Sequence, residues 1–195
     1  MTMTKQNSNW RHLSALMLGL ILIAGSHCGP GGGGSMDTNT EVPKGEPPFT
    51  PLGQSWVIDN AGVLSPNTIE WGHEALNRLT HDGVAEVILL VQNNVKNPIP
   101  YATHYGRWLK LGRTGLSSRG GNNGLVILIR PDAKEKLTFS VGRGLMSFTS
   151  VDYGRIFDGE AMDYLNFQNY DQGVRRVISL TDSLLRQIYP PVRKH

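Results

Sequence analysis

Apolar residues fall into short blocks between residues 55 and 190, and the spacing within each block predicts its secondary structure. Two blocks, 84–91 and 125–129, are almost continuously apolar, which is the pattern of strands covered on both faces. A third block, 137–141, follows after a short polar turn and predicts the second strand of a hairpin. A shorter extended segment at 56–59 precedes them.

Helices are predicted between and after these strands. Ser65 and Pro66 have the residue types of a helix cap and a first helical position, and apolar side chains then recur at a spacing of three to four. The other predicted helices cover residues 101–111, 151–165 and 171–188, and the prolines at 98 and 100 are predicted to break the chain. This alternation predicts an α/β fold, an α/β/α sandwich with a small mixed β-sheet flanked by helices on both faces.

The first 28 residues have the organisation of a secretory signal. Lys5 and Arg11 give a basic start without acids, and residues 13–24 form an unbroken run of apolar and small residues. The run is shorter than the ~20 residues that a membrane-spanning helix needs. The alternative, a buried core helix, is disfavoured because the run lies at the terminus and a glycine tract follows it.

Cys28 is the only cysteine, and its position after the apolar run resembles the lipid-modified residue of bacterial lipoproteins. His27 and Gly25 depart from that motif, so ordinary cleavage and retention as a short anchor stay open as alternatives. Lipidation would consume the thiol, which disfavours a catalytic cysteine, and two acyl chains would give a stable anchor. We therefore expect an exported protein of the cell envelope, lipid-anchored to a membrane and facing the periplasm or the exterior.

Residues 29–54 lack the apolar pattern of a folded domain. A glycine tract followed by prolines predicts a flexible linker between the anchor and one domain at 55–190. The chain has 19 Lys+Arg and 16 Asp+Glu, a formal charge of +3, and two of the basic residues lie in the predicted signal. This balance is too small for nucleic-acid binding. The predicted partners are the membrane and an envelope protein complex.

Six segments resemble the motifs of the TPM domain family, in the family's order and spacing. They are 59–65 (DNAGVLS), 108–112 (WLKLG), 122–128 (NNGLVIL), 141–145 (VGRGL), 154–156 (GRI) and 168–173 (QNYDQG). The family includes plant thylakoid proteins of photosystem II repair, a nematode acetylcholine-receptor accessory protein and bacterial envelope proteins. The resemblance spans residues 55–188 and implies the same α/β/α fold.

The resemblance also implies a site at one end of the sheet, where family members carry acidic residues and some bind a divalent cation. Asp59 is retained, whereas Asn122 replaces an Asp, Met146 replaces a Glu, and either Ser150 or Asp152 lies near a further acidic position. Asp59, Asn122 and Asp152 are therefore the predicted metal ligands, and Arg143, between two glycines, is the predicted anion-binding residue. Hard cations need several charged oxygen ligands. We therefore expect either that the chain has no cofactor or that it binds calcium or magnesium only weakly.

Each predicted site residue has a structural alternative. Asp59 can cap its own turn, Asn122 can serve ordinary turn chemistry, and Arg143 can be a solvated turn residue. Three histidines at 73, 81 and 104 are predicted on helix surfaces, and no catalytic residue is assigned. The sequence favours a membrane-tethered accessory or scaffolding module over an enzyme. The alternatives are a metal-dependent phosphatase or hydrolase of low activity, as proposed for a plant family member, and a non-catalytic calcium- or magnesium-binding regulator.

Overall fold

A computed structural model of the chain describes residues 41–48, 55–112, 121–145, 147–148, 150–157 and 159–191. Its sheet has four strands in the order β1 (Val57–Asp59), β2 (Glu86–Val91), β3 (Gly124–Ile129) and β4 (Leu137–Val141). The first three strands are parallel, and β4 is antiparallel to β3. The predicted small mixed sheet is confirmed, and the β3–β4 pair is the predicted hairpin.

The helices of the described residues are α1 (Pro66–His81), α2 (Pro98–Trp108), α3 (Ser150–Phe157), α4 (Glu160–Asn166) and α5 (Tyr170–Ile188), with a short 3-10 helix at Arg143–Leu145. The start of α1 is as predicted, because the Ser65 side chain accepts a hydrogen bond from the N–H of Thr68 and Pro66 is the first helical residue. Gly83, just after α1, has a φ of 68°, a left-handed conformation that glycine adopts without strain.

Alternating side chains of the strands supply two separate cores. Val57 and Leu89 point to the face that α1, α3, α4 and α5 cover. Ile58 and Leu90 point to the opposite face, which α2 covers with Ala102, Tyr105 and the partly buried Tyr101. Helices therefore flank both faces, as the sequence predicts.

Two predicted elements differ in the structure. The helix predicted at 151–165 is divided into α3 and α4, because Gly159 has an extended backbone (φ −115°, ψ −176°) and serves as the N-cap of α4. The prolines at 98 and 100 do not interrupt the chain but lie in the first turn of α2. Amides of a first turn have no partner within the helix, so the missing N–H groups of these prolines remove no helical hydrogen bond.

Residues 41–48, within the predicted flexible linker, contact α2, and we call them the strap. Pro47 is buried, and the Nε2–H of His104 donates to the carbonyl oxygen of Gly45. His104 is only 6% exposed, so its predicted position on a helix surface is wrong. Over residues 41–48 the chain therefore packs against the domain, whereas the sequence predicts a flexible linker there.

The first turn of α5 holds the entry to α1. A carboxylate oxygen of Asp171 accepts hydrogen bonds from the N–H and the hydroxyl of Ser65, at 2.9 and 3.0 Å. Burial raises the pKa of Asp171, but hydrogen bonds from Ser65 and Thr68 and the charge of Arg175 outweigh it, so the pKa lies below its usual value. The loop between β1 and α1 is therefore fixed at its far end by an ionised side chain.

Candidate functional site

Asp59, the last residue of β1, uses both carboxylate oxygens to close the loop that follows. Its Oδ1 accepts hydrogen bonds from the N–H groups of Ala61 and Gly62, at 3.2 and 2.9 Å, and its Oδ2 accepts one from Leu64 at 2.7 Å. An aspartate that binds the backbone of the next residues in this way stabilises a turn. The geometry therefore favours the structural role of Asp59 over the metal ligand.

Asp59 and Asn122 lie at opposite ends of the sheet. The parallel register places Asp59 beside Val91 and Val91 beside Ile129, the last residue of β3. Asn122 instead precedes the first residue of β3. A strand of this length separates its two ends by roughly 20 Å, at about 3.3 Å per residue. The structure therefore does not bring these two predicted ligands together, while Asp152 lies in α3 with its side chain outside the described part.

Three backbone segments meet at the end of the sheet where β2 and β3 begin, which we call the amino edge. The Gly112 carbonyl accepts a hydrogen bond from the N–H of Asn122 at 2.6 Å. The carbonyls of Asn122 and Gly124 accept from the N–H groups of Gly144 and Gly142, at 2.9 and 2.8 Å. These contacts leave no room for side chains at the glycines, and we call the cluster of these five residues the glycine crossing.

Arg143 lies between Gly142 and Gly144 of the glycine crossing and has an exposed side chain. Its flanking glycine amides, which the sequence suggests as an anion cradle, already donate to the carbonyl oxygens of Gly124 and Asn122. Amide N–H groups that already donate hydrogen bonds to carbonyl oxygens cannot also bind an anion. Any anion binding by this segment must therefore depend on the guanidinium of Arg143.

Glu86, at the start of β2, is a carboxylate of the amino edge that is not among the predicted site residues. It is 4% exposed, and its Oε2 accepts a hydrogen bond from the N–H of Gly112 at 2.6 Å. Its Oε1 is buried and has no hydrogen-bond partner among the described residues. The available signal was an acid within an otherwise apolar strand, since buried carboxylates are rare unless they are paired.

The described part of the amino edge does not make a tight site for a hard cation. Calcium takes about six to eight oxygen ligands, and its affinity rises with their charge. Glu86 and Asn122 supply one carboxylate and one amide at this edge. Within the residues that the structure describes, no group of three or more His, Cys, Asp or Glu side chains is arranged to hold a metal ion. Cys28, residues 113–120 and Met146 lie outside them.

The carboxyl edge, where β1, β2 and β3 end, is the usual ligand position of parallel sheets. Here its polar side chains largely bond to one another and to the backbone. The Nδ2 of Asn60 donates to the Oε1 of Gln92 at 2.9 Å, and Arg130 donates to the carbonyl oxygen of Glu135 at 2.6 Å. Burial lowers the pKa of Arg130 from its ordinary value. Two buried atoms of this edge, the Oδ1 of Asn93 and the Nε of Arg130, have no hydrogen-bond partner among the described residues.

Within the described ranges, no helix has both the length and the apolar character that crossing a bilayer requires.

Three solved bacterial structures have a similar fold. The N-terminal domain of a protein from P. gingivalis has a TM-score of 0.60 at 19% identity, over 72% of this chain and 88% of that one. The BA42 protein of the psychrophilic bacterium Bizionia argentinensis has a TM-score of 0.51 at 15% identity, covering 67% and 86%. The N-terminal domain of the cg2496 protein of Corynebacterium glutamicum has a TM-score of 0.50 at 15% identity, covering 80% and 95%. At these identities the likeness shows the fold alone.

A search of curated proteins gives no match. The model of the TPM domain, in contrast, matches residues 57–184, about two thirds of the chain. The match includes the loop anchored by Asp59, the glycine crossing and most of α5. The resemblance carried by the six sequence motifs is therefore confirmed, and the chain belongs to the TPM domain family.

Proposed function

We propose that the chain is a membrane-tethered accessory or scaffolding module of the bacterial cell envelope rather than a metal-dependent enzyme. The observation that carries this proposal is the commitment of Asp59 to three backbone N–H groups, at the opposite edge of the sheet from Asn122. The amino edge is left with the buried carboxylate of Glu86, and Asp82, just before β2, is paired with Arg186 at 2.7 Å. Such an edge has too little negative charge to hold a divalent ion tightly.

The arrangement around Arg143 also supports a non-catalytic role. Phosphoryl transfer without a metal requires other cations that are held against the developing negative charge. The guanidinium of Arg143 is exposed and forms no ion pair with a described residue that would hold it in place, and the glycine amides beside it already donate to carbonyl oxygens. Turnover of a generic phosphomonoester by residues 29–195, dependent on added calcium, magnesium or manganese, would contradict the proposal.

The tether is the second part of the proposal. A signal over residues 1–28 and a lipid on Cys28 would leave the twelve residues 29–40 between the anchor and the strap. A flexible chain of this length has a root-mean-square span of about 20 Å. Confinement near the bilayer raises the effective concentration of the domain toward envelope partners, which is what an accessory module needs.

Fractionation of cells that produce the Cys28→Ala protein tests the tether. We expect the wild-type chain in the membrane fraction, with the added mass of a diacylglycerol, and we expect Cys28→Ala to lose that mass. Ser26→Ala, two residues away, is the matched control and should stay lipidated. A wild-type chain without added mass, or a wild-type chain in the soluble fraction, would contradict lipid anchoring.

A non-catalytic regulator that binds calcium or magnesium is the second candidate. It is favoured by the Oε1 of Glu86, a buried carboxylate oxygen without a hydrogen-bond partner among the described residues. A cation would give this buried oxygen the partner that the described residues do not supply. Thermal-shift titration with calcium and magnesium separates this candidate from the accessory module, because only the regulator gains stability from the cation.

A further inference from the structure

Three exposed basic side chains surround the glycine crossing. Arg107 lies in the last turn of α2, Lys110 follows the helix, and Arg143 lies between two glycines of the crossing. None of the three forms an ion pair with a described residue. Because Glu86 is buried, the described part of this edge presents positive charge to solvent.

Short backbone contacts bring these three positions to one edge. The N–H of Lys110 donates to the Arg107 carbonyl at 3.1 Å. The next residue, Leu111, packs so closely on Gly124 that a Cβ added to that glycine would lie 2.8 Å from the Leu111 Cβ. The carbonyl of Gly124 in turn accepts the N–H of the glycine preceding Arg143, at 2.8 Å.

The exposed carboxylates of the described residues are Glu41 and Glu46 on the strap, Glu70 and Glu74 on α1, Asp132 and Glu135 in the β3–β4 turn, and Glu160 and Asp163 on α4. Those of the strap lie on the α2 side of the domain. The charge of the domain is therefore divided, with the amino edge positive and the remaining surfaces mixed or negative. Such a division orients a protein in an external field even when its net charge is small.

The strap lies against the α2 side of the domain. Gly45 bonds to His104, which precedes Arg107 by three residues, or about 4.5 Å along the helix. The twelve residues between Cys28 and the strap span about 20 Å when flexible. The strap, which follows the tether in sequence, thus contacts α2 about one helical turn from Arg107.

We propose that Arg107, Lys110 and Arg143 form a docking surface for the anionic lipid headgroups of the membrane that carries the anchor. This inference rests on the proposed tether, which supplies the effective concentration that three charges alone would not. Each Lys or Arg near an anionic bilayer strengthens binding by about fivefold. Docking would fix the orientation of the domain and leave the carboxyl edge and α4 facing away from the bilayer.

Co-sedimentation of residues 29–195 with vesicles tests the surface. This chain lacks Cys28, so no lipid contributes, and it retains both cores, which lie between Val57 and Tyr189. We expect binding to phosphatidylcholine vesicles that contain about a third phosphatidylglycerol, loss of binding as salt is raised, and little binding to phosphatidylcholine alone.

Matched charge variants locate the contact. R107Q/K110Q should weaken binding to the anionic vesicles by about 25-fold, and R143Q by about fivefold. K96Q/K134Q removes the same charge from two exposed lysines at the carboxyl edge and should change binding by less than about twofold.

Equal losses from both double variants, equal binding to neutral vesicles, or no binding at low salt would overturn the docking surface. Polyglutamate that binds the chain more tightly than the vesicles do would assign the surface to an acidic protein instead, and would also overturn it. The Cys28→Ala fractionation is independent of these charges. Its failure would count against the tether, whereas failure here with normal lipidation would count against the docking surface alone.

Discussion

Replacement of Gly142 by Ala is expected to lower the free energy of unfolding by about 3 kcal/mol or more. The new Cβ would lie 2.3 Å from the carbonyl oxygen of Asn122, 2.5 Å from its Oδ1 and 2.9 Å from the carbonyl oxygen of Gly124. These oxygens cannot withdraw freely, because the Asn122 and Gly124 carbonyls accept hydrogen bonds that hold the glycine crossing together. Chemical denaturation of residues 29–195 measures the loss.

Gly159→Ala is the matched control for this substitution. Its new Cβ would meet only the carbonyl oxygen of Arg155, at 3.4 Å, which is an ordinary contact distance. The free energy of unfolding should change by less than about 1 kcal/mol. Similar denaturation midpoints for Gly142→Ala and Gly159→Ala would show that the three segments of the crossing do not approach as closely as described.

Asp59→Asn is expected to lower the free energy of unfolding by about 2–4 kcal/mol, in the absence of any metal. The amide keeps one acceptor oxygen for the N–H groups of Ala61 and Gly62. Its NH₂ group then faces the N–H of Leu64, which donates to the carboxylate at 2.7 Å in the native protein. Two donors in contact replace a charge-assisted hydrogen bond, and the melting temperature falls accordingly.

Asp163→Asn, on the exposed surface of α4, is the control and should shift the melting temperature only slightly. The same comparison separates the two roles considered for Asp59. If Asp59 served mainly as a metal ligand, removal of its charge would leave the stability of the metal-free protein unchanged or raise it. Unchanged stability of metal-free Asp59→Asn would therefore contradict the role of loop anchor.

Much of the fold could be predicted because the burial of each strand follows from the apolar residues of that strand alone. The continuous apolar runs at 125–129 and 84–91 match β3 and β2 to within two residues, and Ser65 with Pro66 marks the start of α1. The division of α3 from α4 could not be predicted from periodicity. The extended backbone of Gly159 separates the two helices, while apolar residues continue on both sides of it.

The candidate site was harder to predict, because the order of the motifs along the sequence does not determine at which end of the sheet each motif lies. Asp59 follows a strand and Asn122 precedes a parallel one, so the two must lie at opposite edges once the strands are known to be parallel. The burial of His104 depends on the strap, a contact across 59 positions of sequence that no local pattern records. Glu86 was accessible to sequence reasoning, as an acid inside an apolar run.

Thermal-shift titration of residues 29–195 with calcium and magnesium tests the central claim most directly, namely that the amino edge carries too little charge for a hard cation. Asn122→Asp adds a second carboxylate to this edge without backbone strain, because Asp tolerates the left-handed conformation (φ 58°) of Asn122. Asn94→Asp has a similar φ of 61° at the carboxyl edge and is the matched control.

The account predicts no rise in the melting temperature of the wild-type chain or of Asn94→Asp up to about 10 mM cation, and a small rise for Asn122→Asp at millimolar concentrations. A saturable rise of the wild-type melting temperature at or below about 0.1 mM calcium or magnesium would contradict it.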